Sequence, residues 1–204
     1  MGTGLEDNNG TDWYGYRKKF GVIAPSTNTI VEPDFHTMGV PGVTSHTSRI
    51  HIRDQEIADD DGMRHLLDQI RTEIGPAVER VMTAQPDSMV MGMSAETFWG
   101  GIKGNDGFVD RIQEMVGDFG LTTGANAVIA ALEALDIKGN TGKNLAILTP
   151  YQPVGDKNVR LFFEDSGYNV KQLVGLRCPN ANDSIALVSE PEVIDVVKKM
   201  DGDD

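Results

Sequence analysis

Cysteine is nearly absent from this chain: Cys178 is the only one in 204 residues, so no internal disulfide can form. Long apolar runs are absent too, and none approaches the roughly 20 residues that a bilayer-spanning helix needs. Positive charge is scarce. With 18 Lys+Arg against 31 Asp+Glu the formal net charge is −13 and the sequence pI about 4.6, which argues against nucleic acid or an anionic membrane surface as the main partner. The four histidines form no H-x-H or H-x-x-x-H pair, and His46 and His51, five apart, face opposite sides of a strand, so no metal site is expected. A phosphate-binding G-x-x-x-x-G-K-[ST] is missing as well. The polar, acidic stretch Met1–Asn9 lacks a secretory h-region, and a cytoplasmic protein is expected.

What remains is 39% hydrophobic, 24% charged and rich in glycine, with 23 residues, the composition of a folded α/β-type globule. Residues 1–19 read as a flexible leader that ends in Trp13-Tyr14-Gly15-Tyr16-Arg17-Lys18-Lys19; the aromatics suit a loosely packed tail or a docking segment on a neighbouring subunit. From Phe20 the pattern alternates. Phe20–Ala24 is a buried parallel strand, helical signals follow to about Met38, and Val43–Ile52 is a β-branched second strand. Leu66, Ile70, Ile74, Val78 and Val81 recur at three and four, marking a long amphipathic helix. Ser88–Ser94 is a third strand. A stretch with Gly100, Gly101, Gly104 and Gly107 reads as a mobile flap before a helix over 108–117. Thr122-Thr123 caps the next helix, which Gly139 closes. Strand, helix, strand and helix then repeat over Leu145–Thr149, residues to Ser166, Asn169–Leu176 and 191–200. Such alternation implies parallel sheets, with an N-terminal α/β subdomain over 20–120 and a C-terminal one over 121–204. The second has two strands where the first has at least three, so the pattern reads as short by one strand and one helix.

Three turns at the carboxyl ends of strands carry the chemistry, the edge where open α/β sheets bind ligands. Pro25-Ser26-Thr27-Asn28-Thr29 combines three hydroxyls and an amide with the start of a helix. It serves equally as a carboxylate or phosphate cradle and as plain capping, since Thr29-Ile30-Val31-Glu32 fits a capping box. Gly92-Met93-Ser94 permits close backbone approach and offers a hydroxyl, with Phe98-Trp99 as a candidate pocket wall. Tyr151 ends the fifth strand with a further donor.

In order along the chain, Gly21–Glu32, Met91-Gly92-Met93-Ser94 with Phe98-Trp99-Gly100, Thr122-Thr123, and Leu145–Tyr151 with its Leu-Thr-Pro-Tyr ending resemble the aspartate/glutamate racemase superfamily. The likeness is to its maleate cis-trans isomerase and arylmalonate decarboxylase branch, from about Phe20 onward. The resemblance implies an α/β fold of two Rossmann-like halves with a cofactor-free active site between them. By that likeness Asn28, Tyr151 and Asn182 match residues with roles in the family, and together with the turns read above this makes Ser94 and Tyr151 the catalytic candidates, and Ser26, Asn28, Gly92, Met93 and Asn182 the substrate-binding ones. Gly92 stands where the family carries the first of two cysteines; the second belongs on a strand expected after Asp204, and Cys178 matches neither position.

A glycine at that place is the decarboxylase arrangement. The expected activity is decarboxylation of a malonate-type acid: neutral donors hold one carboxylate while the other lies among apolar side chains and leaves as CO2. On this scheme a thiol beyond Asp204 delivers the proton. Maleate isomerisation, which needs a thiolate to add to a double bond, is the alternative, and a non-catalytic carboxylate-binding paralogue or inactive fragment is the third reading. The expected partner is a small carboxylate, with no nucleic acid and no membrane, and homo-oligomerisation stays open.

Overall fold

The computed structural model describes residues 12–54, 56–181 and 184–200. The first sheet begins with β1 (Lys18–Pro25), whose centre, Val22-Ile23-Ala24, is fully buried. It therefore opens two residues inside the segment read as leader. A short helix α1 (Val31–Thr37) leads to β2 (Val43–Ile50), and the 23-residue α2 (Asp60–Met82) to β3 (Ser88–Met91). A single-turn α3 (Ala95–Phe98), α4 (Gly101–Val116) and a two-residue β4 (Leu121–Thr122) complete this half. The strand order is β2-β1-β3-β4, with all neighbours parallel. The second half runs α5 (Gly124–Ala134), β5 (Asn144–Thr149), α6 (Pro153–Asp165), β6 (Asn169–Gly175) and α7 (Glu190–Met200), with β5 and β6 parallel.

Two departures from the sequence reading have local causes. The glycine-rich stretch is not a flap but the start of α4. Gly100 and Gly101 take positive φ to enter it, and a side chain at Gly104 would overlap the Trp99 carbonyl, so glycine lets the chain turn tightly into the helix. Nor does Thr29 cap α1. The Asn28 Oδ1 accepts from the Ile30 and Val31 N–H groups at 3.0 and 2.9 Å, an Asx cap placed one residue earlier.

The halves are locked by α2. Its face Leu66, Leu67, Ile70, Ala77, Val78 and Val81 packs on Ile23, Ile50, Met89 and Met91, while Met63 reaches the second core of Val159, Phe162, Phe163, Tyr168 and Val170. The Ile57 N–H donates to the Pro179 carbonyl at 2.9 Å, and Glu56 bridges Asn180. The Asp60 carboxylate accepts from the Val154 N–H at 2.7 Å, tying the start of α2 to the start of α6.

Candidate active site

The carboxyl ends of β1, β3 and β5 converge on one cavity of about 150 Å³. Its polar lining is made by Thr27, Asn28 and Thr29 from the first turn, Ser94 from the third strand's turn, and Tyr151 after β5. Ile57, Met63, Leu66, Ile70, Met93, Ile185 and Ala186 make the rest of its lining largely apolar.

The first turn is held rigidly. The Arg49 guanidinium donates to the Pro25 carbonyl at 3.1 Å and to the Asn28 carbonyl at 2.6 Å, and pairs with Glu32. Because its Oδ1 is spent on capping α1, Asn28 presents its Nδ2 as a donor. Ser26 points elsewhere: its Oγ accepts from the Ile52 N–H at 3.0 Å and stitches β1 to β2, so it does not line the cavity. Thr27 and Thr29, one position either side of Asn28, line the cavity in its place.

At the second turn Ser94 is the N-cap residue of α3, and its carbonyl accepts from the Thr97 and Phe98 N–H groups. Its hydroxyl is in short hydrogen-bonded contact with the Tyr151 hydroxyl. Tyr151 is buried, and desolvation pushes its phenol up to about 12, with the Asp156 charge adding and the Ser94 hydrogen bond opposing. The pair thus comes from different halves and keeps both protons through the neutral range. Among the described residues no group of three His, Cys, Asp or Glu comes together, and the cavity lining carries no charge.

Of the residues singled out by sequence, Asn28, Met93, Ser94 and Tyr151 meet at this cavity, and Ser26 and Gly92 do not line it. Asn182 lies outside the described residues. Gly92 sits behind the wall, donating to the Ile23 carbonyl at 2.7 Å. A Cβ there would stand 2.9 Å from Val31 Cγ1 and 3.0 Å from the Ile23 carbonyl oxygen, so glycine allows β3 to lie close against β1. Phe98 and Trp99 are not the apolar wall. The α3 turn carries Phe98 onto Phe162 and Phe163, at ring separations of 5.1 and 6.0 Å, and Trp99 packs against both cores. The apolar lining comes instead from Ile57, from α2 and from the segment after β6, contacts distant in sequence. Cys178 also stays out of the cavity: its N–H bonds the Pro150 carbonyl at 3.0 Å, its carbonyl accepts from Gln152, and burial pushes its thiol up.

Two parallel sheets with a cavity between their carboxyl edges define the class: this is the fold of maleate isomerases and arylmalonate decarboxylase. The solved structures it matches include the maleate cis-trans isomerase of Nocardia farcinica, with TM-score 0.74 and 18% identity over 90% of this chain and 73% of that one. They also include maleate isomerase from Pseudomonas putida S16 (0.72, 18%, 91% and 74%). Arylmalonate decarboxylase matches at 0.65 with 16% identity over 89% of this chain and 71% of that one. No sequence model of a protein family and no curated protein sequence matches the chain.

Proposed function

We propose that this chain is a cofactor-independent enzyme that removes CO2 from a malonate-type acid bearing an apolar substituent. The observation that carries the reading is what lines the cavity: neutral donors from three turns share it with the apolar side chains of Ile57, Leu66, Ile70 and Ile185, and no charged group is there to partner a second carboxylate. One carboxylate is held by Asn28 Nδ2, the Thr27 and Thr29 hydroxyls, and the Ser94–Tyr151 pair. The other, pressed against the apolar wall, sheds its charge by leaving as CO2. The C–C bond breaks, its electron pair passes to the α-carbon and the held carboxylate, and an enediolate forms. Ser94 and Tyr151 donate to that growing charge more strongly than to the ground-state carboxylate. With a phenol near 12, Tyr151 keeps its proton and remains a hydrogen-bond donor throughout, and the α-carbon of the enediolate then takes a proton from water, leaving hydroxide, to give the monocarboxylate.

Isomerisation is the second reading, favoured by the higher TM-scores of the maleate isomerases. One isomerase structure holds a covalently bound succinylcysteine intermediate, and a route of that kind needs a thiol. Among the described residues the cavity lining includes no cysteine, and Gly92 leaves no room for one without displacing Val31. Proton NMR of a panel of substituted malonates, with maleate in parallel, separates the readings. The proposal expects monoacid from at least one malonate and no fumarate. Fumarate formation with every malonate intact selects the isomerase, and binding without turnover selects a non-catalytic carboxylate receptor.

A further inference from the structure

Asp156 lies outside the cavity, yet it is buried, charged and connected to both ends of the Tyr151 peptide. Its Oδ1 accepts from the Thr149 hydroxyl at 2.5 Å, and the Thr149 Oγ1 in turn accepts the Tyr151 N–H at 3.2 Å. Its Oδ2 pairs with Arg177 at 2.5 Å, and the same guanidinium nitrogen donates to the Tyr151 carbonyl at 2.5 Å. Arg177 reaches this position from a left-handed backbone, φ 57°, a conformation that costs a non-glycine residue and persists where the surroundings enforce it. The Tyr151 side chain leans on the first turn of α6: a Cβ at Gly155 would stand 2.7 Å from the Tyr151 Cβ. Three elements therefore converge on one tyrosine, namely the end of β5, the first turn of α6 and the loop after β6.

We infer that Asp156, acting with Thr149 and Arg177, is a positioning residue that aims the Tyr151 hydroxyl at Ser94 and the cavity. The inference rests on the carboxylate-site reading of Tyr151 and extends it to a residue that touches no substrate. A hydrophobic isostere could fill the space at Asp156, but it could not orient the Thr149 hydroxyl and the Arg177 guanidinium at once. With the Arg177 side chain 45% exposed, the ion pair contributes little net stability, so its service here is to fix geometry.

The test uses the full chain labelled with 3-fluorotyrosine, whose more acidic phenol titrates while the fold holds, with Tyr151→Phe assigning the Tyr151 fluorine resonance. The charged groups packed at Tyr151 are Asp156 from α6 and Arg177 from the loop after β6, while Ser94 faces its hydroxyl and the cavity side is uncharged. Asp60 at the start of α2 is engaged by the Val154 N–H. Asp156→Asn lowers the Tyr151 titration midpoint, and Arg177→Gln, which leaves the Asp156 charge unneutralised, raises it. Loosening of a merely structural contact would move both variants the same way and overturns the inference, as does an unchanged midpoint in folded Asp156→Asn. With a malonate substrate, Asp156→Asn lowers kcat about tenfold with KM within about twofold. It has no further effect in the Tyr151→Phe background, whereas additive losses contradict an action through Tyr151. If the wild type turns over no substrate, the proposed activity fails, and the fluorine titration still decides the positioning role. Should Asp156→Asn not fold, Arg177→Gln alone carries the decision through the sign of its shift.

Discussion

At the scale of single residues, the account depends on two hydroxyls from opposite halves. Ser94→Ala and Tyr151→Phe each remove one donor to the developing enediolate, so each is expected to lower kcat about 10²–10³-fold, the cost of deleting one oxyanion donor. Circular dichroism should be unchanged, since neither residue caps a helix through its side chain. Steady-state kinetics on a malonate substrate checks this. Tyr151 also predicts a pH signature independent of activity. Its phenol is raised from 10 to about 12 in the folded chain, so the folded state holds the proton more tightly than the unfolded one. The stabilisation this implies is complete below about pH 10 and is lost as pH rises through about 12, roughly 2–3 kcal/mol in all. Thermal melts between pH 9 and 12 should fall more steeply in wild type than in Tyr151→Phe. The residues brought to the cavity were legible where a strand's end forces them there: Asn28, Met93, Ser94 and Tyr151. Ser26 and Gly92 were not separable from them, because which way a turn residue points depends on φ and ψ that composition does not reveal. Thr27 and Thr29 were read as hydroxyls of the same turn but not singled out from it, for the same reason.

At the scale of elements, periodicity found the long helix and most strands, and failed where an element has no period to show. The two-residue β4 and single-turn α3 are too short to carry one. The glycine-rich start of α4 read as a loop because helix propensity ranks glycine low, while the close contact with Trp99 requires it. α3 carries Ser94 at its N-cap, and what fixes α3 is an ion pair in the interior. The Glu96 carboxylate, 4% exposed, accepts from Arg71 of α2 at 2.9 Å and from Arg111 of α4 at 3.3 Å, and this contact raises the Arg71 guanidinium further. Replacing Glu96 by Gln leaves two half-exposed arginines that water can reach, so the expected loss is about 1–3 kcal/mol, measured by urea unfolding. A loss near zero would mean that α3 is held by Phe98 alone.

At the scale of the whole molecule, the site exists only because two α/β units face each other, with α2 contributing to both cores. Urea unfolding is therefore expected as a single transition with coincident far-UV and fluorescence midpoints. A carboxylate ligand at 100 times its Kd should add about 2.7 kcal/mol. The facing of strand ends was legible in sequence; the apolar wall from Ile57, Leu66, Ile70 and Ile185 was not, since it joins segments more than a hundred residues apart. The net charge of −13 repels dianions at long range, but beyond about 8 Å salt screens it, so the cavity's own lining of neutral donors and apolar side chains must select the ligand. Calorimetric titration with a series of carboxylates tests that lining most directly. The account predicts that affinity rises roughly fourfold per added methylene from acetate upward, that phenylacetate binds at least tenfold more tightly than maleate, and that Tyr151→Phe weakens both. Maleate binding more tightly than every apolar monoacid would contradict it.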